Sequence, residues 1–146
     1  MPFQRDPGTI RWKVHFRSPP ERVYAALATD AGRATFWAES AREVDGVITF
    51  CFTDHAPVSG RVLRSHDPTV FAVEYFGSPV EFTLRGDGAG GTDLSLTATR
   101  VPEQDRFEVV AGWVSVLMAM KAAVDHRVDL RNHDAARSWS RGYAEN

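Results

Sequence analysis

Cysteine is nearly missing from this chain: Cys51 stands alone, so no internal disulfide can form and a reducing, cytoplasmic setting is the expectation. An excess of one charge is missing too. Lys and Arg number 17 against 19 Asp and Glu, a formal net charge of −2, and the basic residues are scattered, which argues against nucleic acid as a partner. The first residues, Met1 to Gly8, hold no apolar core of a secretory signal. No stretch is read as reaching the ~20 apolar residues that span a bilayer, so membrane insertion is not expected. No HExxH, Cys-rich or GxSxG motif occurs. The run Gly86-Asp87-Gly88-Ala89-Gly90-Gly91 lacks a following helix and the Lys-Ser/Thr of a phosphate loop, and reads as a flexible hairpin turn. Neither a cofactor nor a metal is called for.

What is present is alternation, then helical periodicity. Ile10, Trp12, Val14 and Phe16 alternate with Arg11, Lys13, His15 and Arg17, the pattern of a strand with one wet face. Ser18-Pro19-Pro20-Glu21 predicts a helix with Ser18 as N-cap, Pro19 at its first position and Glu21 closing a capping box. Val23, Tyr24, Leu27 and Ala28 form its inner face. Asp30 is expected to cap a second short helix running to Trp37, weakened by Gly32. Strands then follow near Val47–Phe52, Ser59–Ser65, Val70–Phe76, Val80–Arg85 and Asp93–Val101, separated by Asp54-His55-Ala56-Pro57, Asp67-Pro68, Gly77-Ser78-Pro79 and the Gly86–Gly91 run. Short strands joined by turns favour an antiparallel meander over βαβ units.

From Asp105 to about Val128 there is no Pro and only Gly112. Phe107, Val110, Trp113, Val114, Leu117, Lys121 and Val124 recur near the helical period, widened by Val109, Val116, Met120 and Ala123. Asp105 and Glu108 have the spacing of a capping pair. Such a helix runs ~33 Å and a nine-residue strand ~30 Å, so the helix can lie across the sheet. The 146 residues fit a single domain, 1–146.

Ser18-Pro19-Pro20-Glu21-Arg22-Val23-Tyr24-Ala25-Ala26-Leu27, Phe36-Trp37, Gly112-Trp113-Val114-Ser115-Val116-Leu117 through Lys121, and Asp129-Leu130-Arg131-Asn132-His133-Asp134 to Gly142-Tyr143 together resemble the START-like, or SRPBCC, helix-grip superfamily. Within it the chain is similar to bacterial proteins related to the C-terminal domain of the activator of the heat-shock-90 ATPase. The resemblance spans nearly the whole chain. It implies an α+β helix-grip fold: a curved antiparallel sheet wrapped around a long C-terminal helix, with two short helices after the first strand. The chaperone activators carry a separate N-terminal domain that this sequence is not expected to encode, so the resemblance implies fold and not chaperone activation. Members of the superfamily bind lipids, polyketides, hormones or other apolar molecules, and a few are enzymes.

That resemblance makes a small apolar ligand, bound without catalysis between sheet and helix, the leading expectation. Strand alternation turns Trp12, Phe50, Phe52, Phe71, Tyr75 and Phe82 inward, met from the helix by Trp113, Leu117 and Met120, with Trp37 near one mouth. The same side chains would serve equally as a close-packed core. A cyclase- or hydrolase-type enzyme would need an inward titratable group, for which Tyr75 and Glu74, of opposite parity, are the candidates. Lys121 on the apolar stripe is either an anion contact at the mouth or a packed stem with a solvated ammonium. The five histidines do not converge: His126 and His133 lie near Asp129 and Asp134 without ligand spacing, His15 falls on a wet strand face, and His55 and His66 sit at turns. Cys51 packs as a small hydrophobe between Phe50 and Phe52. Trp139 and Tyr143 would share a face if the tail is helical, covering the cavity mouth, packing on the protein's own sheet or docking on a second copy as a homodimer.

Overall fold

The computed structural model describes residues 5–146; the expectation about the start of the chain falls partly on residues 1–4, outside the described residues. The order is β1 (Ile10–Phe16), α1 (Pro20–Ala28), α2 (Asp30–Ala34), β2 (Ser40–Val44), β3 (Val47–Cys51), β4 (Val58–His66), β5 (Val70–Tyr75), β6 (Ser78–Gly86), β7 (Thr92–Ala98) and α3 (Arg106–His126). The strands form one seven-stranded sheet ordered β1-β7-β6-β5-β4-β3-β2, antiparallel throughout. The helical pair α1–α2 carries the chain from one sheet edge to the other, after which each strand pairs with its predecessor. The α+β helix-grip architecture expected from the sequence is the one observed.

Two hairpins owe their tightness to paired left-handed residues. Asp45-Gly46 (φ 50° and 78°) join Val44 to Val47, and Phe76-Gly77 (φ 49° and 77°) join Tyr75 to Ser78. Positive φ at both central residues matches the twist of the flanking strands. The turn before β6 is therefore Phe76-Gly77, and Ser78-Pro79 already belong to the strand. At Gly60 the need is spatial: a Cβ would lie 1.7 Å from the Glu74 carbonyl oxygen. Gly60→Ala should push β4 off β5 and lower stability by about 1–3 kcal/mol, the range for overpacking; a thermal midpoint equal to wild type would contradict the close approach.

The concave face presents Phe16, Ile48, Phe50, Phe71, Val73, Phe82 and Leu96, all at most 2% exposed. It is met by Trp113, Leu117, Met120 and Val124 of α3, spaced 4, 3 and 4 residues apart, as one helix face requires. Two residues assigned to this stripe from sequence face away: Phe107 is 91% and Val114 40% exposed. By length and composition Glu103–His126 would pass as a membrane span, contrary to the reading of the sequence. Its inner face is buried on the sheet, and it bonds to β1 through Trp12 and Lys121.

The caps also differ from expectation, and at Ser18 a tertiary partner replaces a local one. α1 has Pro19 at its N-cap, with no side-chain capping bond. Ser18 instead donates its hydroxyl to Asp125 of α3 at 2.9 Å, and the same carboxylate accepts the backbone N–H groups of Arg17 (2.9 Å) and Ser18 (3.1 Å). The second helix stops at Ala34, and Thr29, not Asp30, is its cap, accepting from the Gly32 N–H at 3.0 Å. Asp30 holds Arg33 at 2.6 Å and accepts the Glu43 N–H at 3.0 Å. Asp105 makes no capping bond from its side chain.

Candidate functional site

The space between sheet and α3 is filled by rings. Trp37 enters its centre, with ring centroids 4.9 Å from Phe50, 5.4 Å from Tyr75, 5.6 Å from Phe82 and 6.0 Å from Trp113. Tyr75 lies 4.9 Å from Phe50 and 5.4 Å from Trp113. These are the separations of tilted and edge-to-face pairs in contact. Leu117 and Met120 extend the buried seam along α3. The remaining sequence-selected residues lie outside this cluster. Phe71 packs edge-on against Tyr24 at 6.3 Å. Trp12 donates its Nε1 to the Val110 carbonyl at 3.4 Å. Phe52, past the end of β3, joins His55 and Phe76 at 6.1 and 5.9 Å.

Burial pushes the Tyr75 phenol well above its ordinary ionisation range, and the Trp37 indole opposes this without outweighing it. The hydroxyl therefore stays protonated at neutral pH. Glu74 has the opposite parity and is exposed. Neither side chain puts an ionised base into the interior.

A hollow lies beyond Trp37, on the flank of α3 turned from the sheet. It measures about 380 Å³, walled by Phe36 and Trp37, by Val114, Met118 and Ala119 of α3, and by Leu130, Arg131 and Trp139 of the tail. Of the ligand contacts selected from sequence, Trp37 alone lines it; Trp139 lines it from the tail. Trp37 Nε1 is buried and makes no well-formed hydrogen bond; the polar group it acts on is the Tyr75 hydroxyl, on the interior side of the ring. The cavity wall was missed because it is assembled by the returning tail. A local hint existed in the breadth of the α3 stripe, which carries apolar residues on more faces than one sheet contact uses.

The tail is not a helix. Two 3-10 turns, Ala135–Arg137 and Trp139–Arg141, lie between extended segments, so Trp139 and Tyr143 do not share a helical face. It packs on its own protein, against α3 and the loops and not the sheet. The Trp139 Nε1 donates to Glu108 at 3.0 Å, the Ser140 hydroxyl to Asp54 at 2.6 Å and the Ser115 hydroxyl to the Ala144 carbonyl at 2.5 Å. Arg131 donates to the carbonyls of Ala38 and Ala34, both at 2.7 Å, and to Asp129 at 3.0 and 3.1 Å. His133 sits between carboxylates, with Nδ1 2.6 Å from Glu39 and Nε2 2.6 Å from Asp129. Hydrogen bonds to Asp129 and then Glu39 raise the imidazole above its usual range. Burial would raise the Asp129 carboxyl, but the Arg131 and His133 donors outweigh it and hold Asp129 far below the ordinary range.

Other charged candidates have structural partners. Lys121 is tied into the fold: its Nζ donates to the His15 carbonyl and lies 3.4 Å from Asp125. His15 is not simply solvated, since Nε2 lies 2.8 Å from Asp87. That contact, with the N–H groups of Ala89 and Gly91, draws the Asp87 carboxyl down to about 2 and closes the glycine-rich turn. Among the described residues no three His, Cys, Asp or Glu side chains are grouped to hold a metal ion.

Comparison with known proteins places this geometry in a family. A sequence model described as activator of Hsp90 ATPase homolog 1-like protein matches residues 17–125. No match is found among curated proteins. Among solved structures, protein SSP2350 from Staphylococcus saprophyticus is similar at 25% identity and a TM-score of 0.73, over 84% of this chain and 96% of that one. The Aha1 dimer from Colwellia psychrerythraea has the same fold at 20% identity and a TM-score of 0.71, over 81% of this chain and 96% of that one. CalU16 from Micromonospora echinospora is similar at 25% identity and a TM-score of 0.61, over 75% of this chain and 71% of that one. The matched segment runs from the end of β1 to the last turn of α3 and covers most of the chain, which therefore belongs to the activator of Hsp90 ATPase homolog 1-like family.

Proposed function

We propose that this protein binds a small apolar ligand, without catalysis, in the cavity between α3, Trp37 and the C-terminal tail. The carrying observation is the apolar hollow of about 380 Å³, within the ~300–1,000 Å³ common for small-molecule sites. The aromatic cluster of Phe50, Tyr75, Phe82 and Trp113 stands behind Trp37 and keeps that wall rigid.

Native mass spectrometry of the protein as purified, followed by denaturing extraction, tests the reading directly: a stoichiometric apolar molecule supports it. A partner measurement uses Met118→Trp, which fills the cavity from a half-exposed position (45% exposed) and spares the core. Binding of the extracted molecule should weaken tenfold or more, about 1.4 kcal/mol. Unchanged affinity would move the site elsewhere.

A second reading concerns assembly. Phe107, Val114 and Met118 leave an apolar stripe exposed on α3, and exposed apolar patches mark interaction surfaces. Because Val114 and Met118 also wall the hollow, this reading is the alternative to the ligand site: a homodimer contact over the same face of α3, supported by the dimeric state named for the Colwellia structure. Phe107→Glu should shift the mass in solution to that of a monomer; an unaltered mass would remove the stripe from any interface.

A further inference from the structure

We propose that His133 makes the tail a pH-responsive strap over the cavity, held closed while the imidazole is protonated and released beyond His133 when it is not. The inference concerns regulation of the proposed binding site and rests on that reading for its purpose. Its geometry stands alone. An imidazolium has two N–H donors and a neutral imidazole only one. Both ring nitrogens of His133 lie 2.6 Å from a carboxylate oxygen, Glu39 on one side and Asp129 on the other. Losing the proton therefore sets a nitrogen lone pair against a carboxylate, and one charge-assisted contact must open.

The charged groups facing His133 are Glu39, from the segment joining α2 to β2, and Asp129 with its bound Arg131, from the tail itself. The bonds of Arg131 to the Ala38 and Ala34 carbonyls do not involve the imidazole and mark the fixed end of the strap. Beyond it, His133 is held at φ 55°, a left-handed conformation that a non-glycine residue keeps only where its surroundings impose it. The segment that follows places Trp139 on the cavity. Glu39 and Asp129 raise His133 above its usual value, so closure is fully supported below the ordinary histidine range, near pH ~6.5. Support is lost as pH rises through the higher value that His133 has in the closed strap.

Amide exchange read by NMR at Asn132 and Tyr143 reports the strap, since their N–H groups donate to the Glu145 and Ser138 carbonyls at 3.0 and 3.1 Å. Protection relative to intrinsic exchange should fall with rising pH, roughly tenfold for each unit separating the closed and open His133 values. His133→Gln should remove that dependence, and Glu39→Gln should move release to lower pH. Identical pH profiles in wild type and His133→Gln would overturn the proposal. In parallel, the association rate of 8-anilinonaphthalene-1-sulfonate should rise along the same profile in wild type only. A probe that binds at one rate at every pH, while protection changes, would overturn the strap as a gate. Failure of any apolar probe or extract to bind, with pH-dependent protection intact, would defeat the ligand reading and leave the strap standing.

Discussion

Arg33→Ala should cost about 3–5 kcal/mol of folding stability, the range for removing one partner from a buried charged network. Arg33 is 0% exposed. Its Nε donates to the Ala41 carbonyl at 2.9 Å, Nη1 to the Leu27 carbonyl at 3.0 Å and Nη2 to Asp30 at 2.6 Å. Burial lowers its affinity for a proton, and Asp30 and Glu43 oppose that change. Truncation strands two carbonyl oxygens, removes the partner of Asp30 and leaves a void where α2 meets β2. For a chain of this size the thermal midpoint should fall by roughly 2–4 °C per kcal/mol, about 10 °C in all. Arg33→Lys should recover only part of this, since one ammonium cannot copy the planar fork that reaches three acceptors. Chemical denaturation of both variants checks the expectation. A loss under about 1 kcal/mol for alanine would mean that relaxation or water satisfies those carbonyls.

Trp113→Ala is the second large effect, and it tests the grip itself. Trp113 is 3% exposed and touches Trp37, Tyr75 and Phe82 at 5.4–6.0 Å between centroids. Large aromatic truncations in cores cost about 3–5 kcal/mol, part transfer and part cavity. The void would adjoin the apolar hollow through Trp37, and apolar voids bind small aromatic molecules. Added indole should therefore raise the midpoint of Trp113→Ala and leave wild type nearly unmoved. A loss below about 1.5 kcal/mol, or a variant deaf to indole, would show that α3 re-seats itself and that the ring cluster is not what fastens it.

The strands legible in the sequence were those with local alternation. Ile10 to Phe16 follows its expected pattern of buried and exposed residues, and Phe50 and Phe82 are fully buried on the concave face, as parity demanded. β2 was not legible, because Ser40-Ala41-Arg42-Glu43-Val44 has neither alternation nor β-branched density; it is a strand because the Asp45-Gly46 turn folds it onto β3. Capping failed as a local inference for a similar reason. Ser18 had an attractive helix start beside it and a better partner in Asp125, more than a hundred residues away in sequence. The site was the least legible part. Parity finds the faces of sheet and helix, but it cannot separate rings that pack from rings that line a hollow. Here the first group filled the interior, and the hollow formed where the tail bends back through Arg131 and His133 onto Ala34, Ala38 and Glu39.

The pairing of β1 with β7 bears on how the protein is made. On a ribosome β1 emerges before every other strand of the sheet and its partner β7 after them, so the apolar side chains of Ile10, Val14 and Phe16 wait uncovered while the meander is assembled. Loop-closure entropy sets against such distant pairings until the intervening hairpins have shortened the effective separation. The nascent chain thus holds a sticky, unpaired ribbon until β7 emerges, and chaperone protection is needed at that stage if at any.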